Sequence, residues 1–187
     1  YKAVTITHVD TSTGILMDVP AVTNVVKSVS PDTLVILDGV CSVGSEEIHM
    51  DAWGVDFLLF ASQKGIGIPP GLSLSLASPR AIQTFEKRSS PPAGFYTSWK
   101  KWLPVMKAYE SRTPAYFATP PTNLIYALHT SLKTMTQGQV SLSQRFQMHR
   151  DASKRVKKAI QDMGLEQLAL PDSREDGVAN GMTAVRY

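Results

Sequence analysis

Leu34-Val35-Ile36-Leu37 is an unbroken apolar run that stops at Asp38. A strand exposed on one side alternates apolar and polar residues. An unbroken run is expected where both faces of a strand are covered. Phe57-Leu58-Leu59-Phe60-Ala61 is a second such run, and residues 72–77 form a third in which Leu and Ser alternate. Residues 4–8 are also rich in β-formers. Residues 19–28 lie between the first two strands and read as a helix, with Asp18 as N-cap and Val22, Val25 and Val26 on one side. Residues 45–50 read as a short helix. Strands alternating with helical segments predict an α/β fold with a mostly parallel sheet. Residues 62–71 are too few for a helical crossover and hold Gly65, Gly67, Pro69, Pro70 and Gly71. Strand 72–77 is therefore predicted antiparallel to strand 57–61.

The second half of the chain has a different character. Residues 88–121 contain six prolines (91, 92, 104, 114, 120 and 121) and several aromatics, and read as a long irregular connection. Thr122 is a candidate N-cap for a helix with Leu124, Leu128, Leu132 and Met135 on one stripe. Gly138 interrupts that pattern. A second long helix is predicted over 140–163, with Val156, Ala159, Ile160 and Met163 on its apolar side and Gly164 ending it. Residues 165–170 and 182–187 read as strands of a smaller second domain. The expected organisation is a large domain over 1–138, then a linking helix and the start of a small domain over 139–187. The chain opens at Tyr1 in a strand-like stretch and closes in another, so it reads as an interior piece of a longer protein.

Composition narrows the class. Hydrophobic residues make up 43% and charged residues 19%, which is globular rather than disordered. No apolar run approaches the ~18 residues of a membrane span, and no secretory pattern marks the start. These features predict a soluble chain with no membrane partner. A single cysteine, Cys41, excludes an internal disulfide framework and a cysteine-rich zinc site. His8, His49, His129 and His149 show no ligand spacing, so no metal is expected. The net charge of +3 is a weak excess. Lys154, Arg155, Lys157 and Lys158 read as a solvated helix face, not a nucleic-acid surface. Cys41 reads as a small filler. Phe95, Tyr96, Trp99 and Trp102 read as core or interface packing.

Three polar clusters follow the predicted strands. His8-Val9-Asp10-Thr11-Ser12-Thr13-Gly14 follows the first. Asp38-Gly39-Val40-Cys41-Ser42-Val43-Gly44 ends the second. Ser62-Gln63-Lys64-Gly65 follows the third. Ligands of open α/β sheets gather beyond the carboxyl ends of parallel strands, where all three clusters would lie. A lysine at a strand end can act as a nucleophile towards an aldehyde and form an imine. A carboxylate beside it can pair with a protonated ring nitrogen. Those are the two needs of a pyridoxal phosphate site.

The Asp38–Gly44 motif, Ser62-Gln63-Lys64 and Pro69-Pro70-Gly71 together resemble the class V aminotransferases, in particular the alanine–glyoxylate and serine–pyruvate branch. The resemblance covers essentially the whole chain. It implies fold type I of the pyridoxal phosphate-dependent transferases, with pyridoxal 5'-phosphate as cofactor. Lys64 would bear the cofactor as an imine and shuttle the substrate proton. Asp38 would pair with the pyridine nitrogen, and Val40 would pack on the ring. Thr11 would lie near the phenolic oxygen, and Gln63 would contact the phosphate. Tyr116 and Thr119 match a segment that binds the phosphate of a neighbouring subunit, which implies a homodimer with shared sites. The implied reaction moves an amino group from alanine or serine to glyoxylate or pyruvate. The implied location is intracellular: peroxisomal, mitochondrial or cytoplasmic. The stacking aromatic and the arginine that grips the substrate carboxylate have no counterpart between Tyr1 and Tyr187. Two readings stand beside this one: a lyase of the same fold, of cysteine desulfurase or kynureninase type, and a non-catalytic scaffold domain.

Overall fold

The computed structural model describes residues 1–169 and 177–186. Four strands form the main sheet: β1 (Ala3–Thr7), β2 (Leu34–Asp38), β3 (Phe57–Ala61) and β4 (Ser73–Ala77). They lie side by side in chain order, β1, β2 and β3 parallel and β4 antiparallel to β3. The short Gly- and Pro-rich link after β3 thus reverses the chain, as its length requires. The described residues form the helices α1 (Val19–Val29), α2 (Pro79–Glu86), α3 (Trp99–Glu110), α4 (Thr122–Gln137) and α5 (Leu142–Asp162). A two-stranded antiparallel pair, β5 (Glu166–Gln167) with β6 (Val185–Arg186), follows α5.

The core lies on one face of the sheet. Ile6, Val35, Leu37 and Leu58 are buried there against Val19 of α1 and Val55. Strand side chains alternate faces, so Leu34, Ile36 and Phe57 point the other way. They are half-buried and line an open cleft of about 920 Å³. The expectation that both faces of β2 are covered therefore fails among the described residues. Asp18 caps α1 by accepting the Ala21 N–H at 3.0 Å. Val22 and Val26 pack on the core as expected, but Val25 is exposed, and Val19 and Thr23 take the buried positions.

The end of the sheet away from the three polar clusters is tied by one buried acid. Asp56 Oδ2 accepts the Val35 N–H at 2.8 Å and Lys27 Nζ at 2.9 Å. Arg80 of α2 lies 3.7 Å from Oδ1. One carboxylate thus joins α1, β2 and the start of α2. A buried charge is tolerated only when it is paired and hydrogen-bonded in this way.

Several local expectations are corrected. Residues 45–50 are not helical: they form turns, with a bridge between Val43 and Glu46. The 88–121 connection contains α3 despite Pro104 inside it. Trp99 explains how this helix holds, for its ring packs on Phe57 and Phe85 at 5.4 Å each. Such packing outweighs the single helical hydrogen bond that Pro104 forgoes. Helix α2 had no forecast; Ser78 caps it by accepting the Ala81 N–H at 3.1 Å. Pro121, not Thr122, is the N-cap of α4. Leu132 is exposed on the α4 stripe, whereas Met135 is buried. Helix α5 begins with a Ser141–Gln144 capping box, and Gly164 follows it at φ +72°. Its buried positions are Ser153 and Ile160, while Val156 and Met163 are exposed. The forecast strands 165–170 and 182–187 shrink to β5 and β6, and Leu170 and Tyr187 lie outside the described residues.

Candidate active site

The three polar clusters sit at the carboxyl ends of three adjacent parallel strands. The register pairs Thr7 with Asp38, and Asp38 with Leu59. The ladder continues past the strands, because His8 N–H donates to the Asp38 carbonyl at 3.0 Å and Gly39 N–H to the Leu59 carbonyl at 2.8 Å. Asp38 Oδ1 accepts the Val40 N–H at 3.0 Å, which fixes the carboxylate over the start of its own loop. Val40 itself is half-buried.

The loop after β3 is braced from below. Ser62 is fully buried; its hydroxyl donates to the Pro69 carbonyl at 2.9 Å and accepts the Leu72 N–H at 3.3 Å. Ile66 and Ile68 pack with Met135 of α4, and Ser131 Oγ donates to the Ile66 carbonyl at 2.5 Å. Gln63 and Lys64 stand on this braced base and are exposed. A partly apolar setting makes a lysine a better nucleophile, and the described residues do not supply one around the exposed Lys64. The Lys64 and Asp38 loops meet at two glycines. Gly44 adopts φ +90°, and a Cβ there would stand 2.8 Å from the Gly65 carbonyl carbon. Only glycine allows that backbone-to-backbone approach.

Thr11 lies exposed in a turn built on Asp10. The Asp10 carboxylate accepts Thr13 Oγ1 at 2.7 Å, the Ser12 N–H at 3.0 Å and Ser12 Oγ at 2.8 Å. Those bonds, Thr13 first, hold its carboxyl below the usual carboxylate range. His8 is buried beneath this turn, edge-on to Trp53 at 5.6 Å between ring centres. Burial lowers its pKa to about 4, so the ring is neutral, and its Nδ1 has no hydrogen-bond partner among the described residues.

Tyr116 and Thr119 stand apart from this cluster. They are exposed and hydrogen-bonded to each other, Tyr116 OH to Thr119 Oγ1, at 2.8 Å. Among the described residues no hydrogen bond joins either to the Asp38 or Lys64 loops. Their segment packs instead through Phe117 on Trp102, with ring centres 5.0 Å apart, and Trp102 in turn meets Tyr96. The structure therefore gathers Thr11, Asp38, Val40, Gln63 and Lys64 at one edge, and among the described residues no hydrogen bond ties Tyr116 or Thr119 to it. No cluster of metal-ligating side chains occurs among the described residues.

The donor set suits a pyridoxal phosphate-type group. It comprises one exposed primary amine, one carboxylate with a fixed oxygen, and nearby hydroxyl and amide groups. Sequence reasoning missed His8 and Asp10 as shaping residues. Asp10 is legible as a turn former before Ser12 and Thr13, but the buried His8 carries no local signal.

Comparison with known proteins identifies the family and the fold. The family model described as aminotransferase class-V matches residues 1–184. The chain is 42% identical over 187 residues to alanine–glyoxylate aminotransferase 1 of Saccharomyces cerevisiae, covering 99% of this chain and 48% of that protein. It is 30% identical to a serine–glyoxylate aminotransferase of Arabidopsis thaliana, covering 98% of this chain and 43% of that one. The solved alanine–glyoxylate aminotransferase of Nostoc sp. superimposes with a TM-score of 0.85 at 29% identity, over 98% of this chain and 46% of that chain. The chain spans about half the length of these relatives, and its fold is that of the fold-type-I pyridoxal phosphate-dependent aminotransferases. With the family model matched over residues 1–184 and the three strand-end loops in place, this chain belongs to the class V aminotransferases.

Proposed function

We propose that this chain carries the lysine and the acid of a pyridoxal phosphate-dependent aminotransferase that uses glyoxylate as amino acceptor and alanine or serine as donor. The observation that carries the reading is the joining of the Asp38 and Lys64 loops through Gly44 and Gly65. The names of the relatives support glyoxylate as one substrate. When bound, pyridoxal phosphate supplies an electrophilic carbonyl carbon and a ring that accepts electrons.

The chain's own residues do the rest. The Lys64 amine would hold the group and, when free, would take the proton from the substrate α-carbon and deliver it to the carbon at the other end of the transfer. The Asp38 carboxylate would hold a proton on the ring nitrogen, with its Oδ1 fixed by the Val40 N–H. Val40 packs on the ring face, Thr11 offers a hydroxyl to the phenolic oxygen, and Gln63 offers an amide to the phosphate. Tyr116 and Thr119 act on the phosphate of a second copy, which makes the working unit an intracellular homodimer. The division into a large domain over 1–138 and a linker with a small domain from 139 is part of the same proposal. Among the described residues no helix is long and apolar enough to cross a membrane.

The test uses the full-length protein. Its absorbance is read before and after borohydride, and the peptides are then weighed. A near-visible band lost on reduction, with a pyridoxyl mass on the Lys64 peptide, is the expected result. No band and no label after adding cofactor would leave the scaffold reading in its place.

A further inference from the structure

Glu46 follows the Asp38 loop and takes no part in the assignments above, yet it is only 5% exposed. Its Oε1 accepts the N–H of Asn180 at 2.5 Å and of Gly181 at 3.3 Å, and its Oε2 accepts Asn180 Nδ2 at 2.8 Å. All three donors come from the far end of the chain. A buried carboxylate survives only with such partners, and bonds to a charged acceptor are roughly twice as strong as neutral ones.

Residues 177–181 touch the other parts of the site as well. Leu16 N–H donates to the Gly177 carbonyl at 3.0 Å, and Ala179 N–H to the Gly14 carbonyl at 2.9 Å, just after the Thr11 turn. Lys157 of α5 donates to the Ala179 carbonyl at 2.6 Å and to Ser153 Oγ at 2.5 Å. Burial lowers the Lys157 pKa, and Glu46 acts against that fall. A Cβ on Gly181 would stand 2.8 Å from Ser45 Oγ, so the fit against the Asp38 loop is close.

The path from Glu46 back to the site is short and stiff. Val43 N–H donates to the Gly39 carbonyl at 2.9 Å, and Glu46 N–H to the Ser42 carbonyl at 2.8 Å. Gly44 lies between these turns and abuts Gly65, the neighbour of Lys64. A shift at Glu46 is therefore passed to both loops.

We propose that Glu46 is a positioning residue: its carboxylate clamps residues 177–181 against the loops that carry Thr11 and Asp38, and so holds the Asp38–Lys64 edge in the arrangement the cofactor needs. This rests on the reading of that edge as a cofactor site.

The test combines hydrogen exchange by mass spectrometry, run without added cofactor, with pyridoxal phosphate titration of the full-length protein. Glu46→Ala is expected to raise exchange about tenfold in residues 11–16, 39–46 and 177–181, with β2 and α1 unchanged. It should also weaken pyridoxal phosphate binding about tenfold. Glu46→Gln can keep all three contacts once the Asn180 amide turns over, and should restore both readouts to within roughly threefold of wild type. Should Glu46→Ala not fold, Asn180→Ala removes one contact without stranding the acid, and should loosen the same three segments by a smaller factor. Unchanged exchange there, a uniform rise along the whole chain, or local loosening with unaltered cofactor affinity would each overturn the proposal. A wild-type protein that takes up no pyridoxal phosphate, while exchange responds as described, would sink the cofactor reading and leave the clamp standing.

Discussion

A Cβ on Gly44 would stand 2.8 Å from the carbonyl carbon of Gly65, so the loops that end β2 and β3 meet with no side chain between them. Gly44→Ala therefore meets two penalties at once. The residue must keep φ +90°, which costs a non-glycine on the order of 1–3 kcal/mol, and its methyl group must push the Lys64 loop aside. The expected outcome is a lowered melting temperature together with weakened pyridoxal phosphate uptake, read by absorbance titration. Wild-type uptake in the folded variant would show that the loop contact does not shape the site.

Lys64 and Asp38 are separable by experiment. Lys64→Ala should abolish the pyridoxyl label and lower turnover by roughly 10²–10⁴-fold, the range for a lost proton-transfer group. Asp38→Asn keeps an oxygen for the Val40 N–H but loses the charge. It should retain the label, bind cofactor more weakly and slow proton abstraction, measured as exchange of the substrate α-hydrogen with solvent. Equal exchange rates in Asp38→Asn and wild type would remove the assigned role of the acid.

Asp56 should matter for stability and not for chemistry. Asp56→Ala leaves the buried Val35 N–H without its acceptor and Lys27 with only the Thr33 carbonyl, and an unsatisfied buried donor costs about 1–3 kcal/mol. Urea unfolding of the full-length protein should show that loss, with cofactor affinity held near wild type. A midpoint within error of wild type would mean that water replaces the carboxylate there.

His8 gives stability a definite dependence on pH. Its folded pKa lies near 4 against 6.5 unfolded, so the unfolded chain binds the extra proton first as pH falls. The contribution of the neutral ring is fully present above about pH 6.5 and is lost as pH drops towards 4. The loss is at most about 3 kcal/mol, at 1.36 kcal/mol per unit. His8→Gln cannot titrate, so its unfolding midpoint should change less between pH 7 and pH 5 than that of wild type. Parallel curves for the two proteins would place the acid sensitivity elsewhere.

Much of this was legible in residue order, for physical reasons. An apolar run ended by Asp38, another ended by Ser62-Gln63-Lys64, and a link too short for a crossover together demand the parallel trio and the reversed β4. The site followed, since strand ends in such sheets collect polar residues. Helix α3 was hidden because its support is the packing of Trp99 on Phe57 and Phe85, which local propensity cannot express past six prolines. The open face of β2 was hidden too. Leu34 and Ile36 look like buried residues, yet α2 and α3 leave them only half-buried along an open cleft. Glu46 and Asn180 are an acid beside another acid and an amide beside a glycine, and only the fold brings them together.

The strand order has a consequence for how the sheet is made. Each strand pairs with the one synthesised just before it, and the stretch between partners shortens from β1–β2 to β2–β3 to β3–β4. Loop closure therefore becomes entropically easier as the chain lengthens. These four strands can zip in order as they leave the ribosome. Glu46 reverses that economy. Its partners Asn180 and Gly181 lie 134 and 135 residues downstream, so the Asp38 loop is made long before the groups that fasten it.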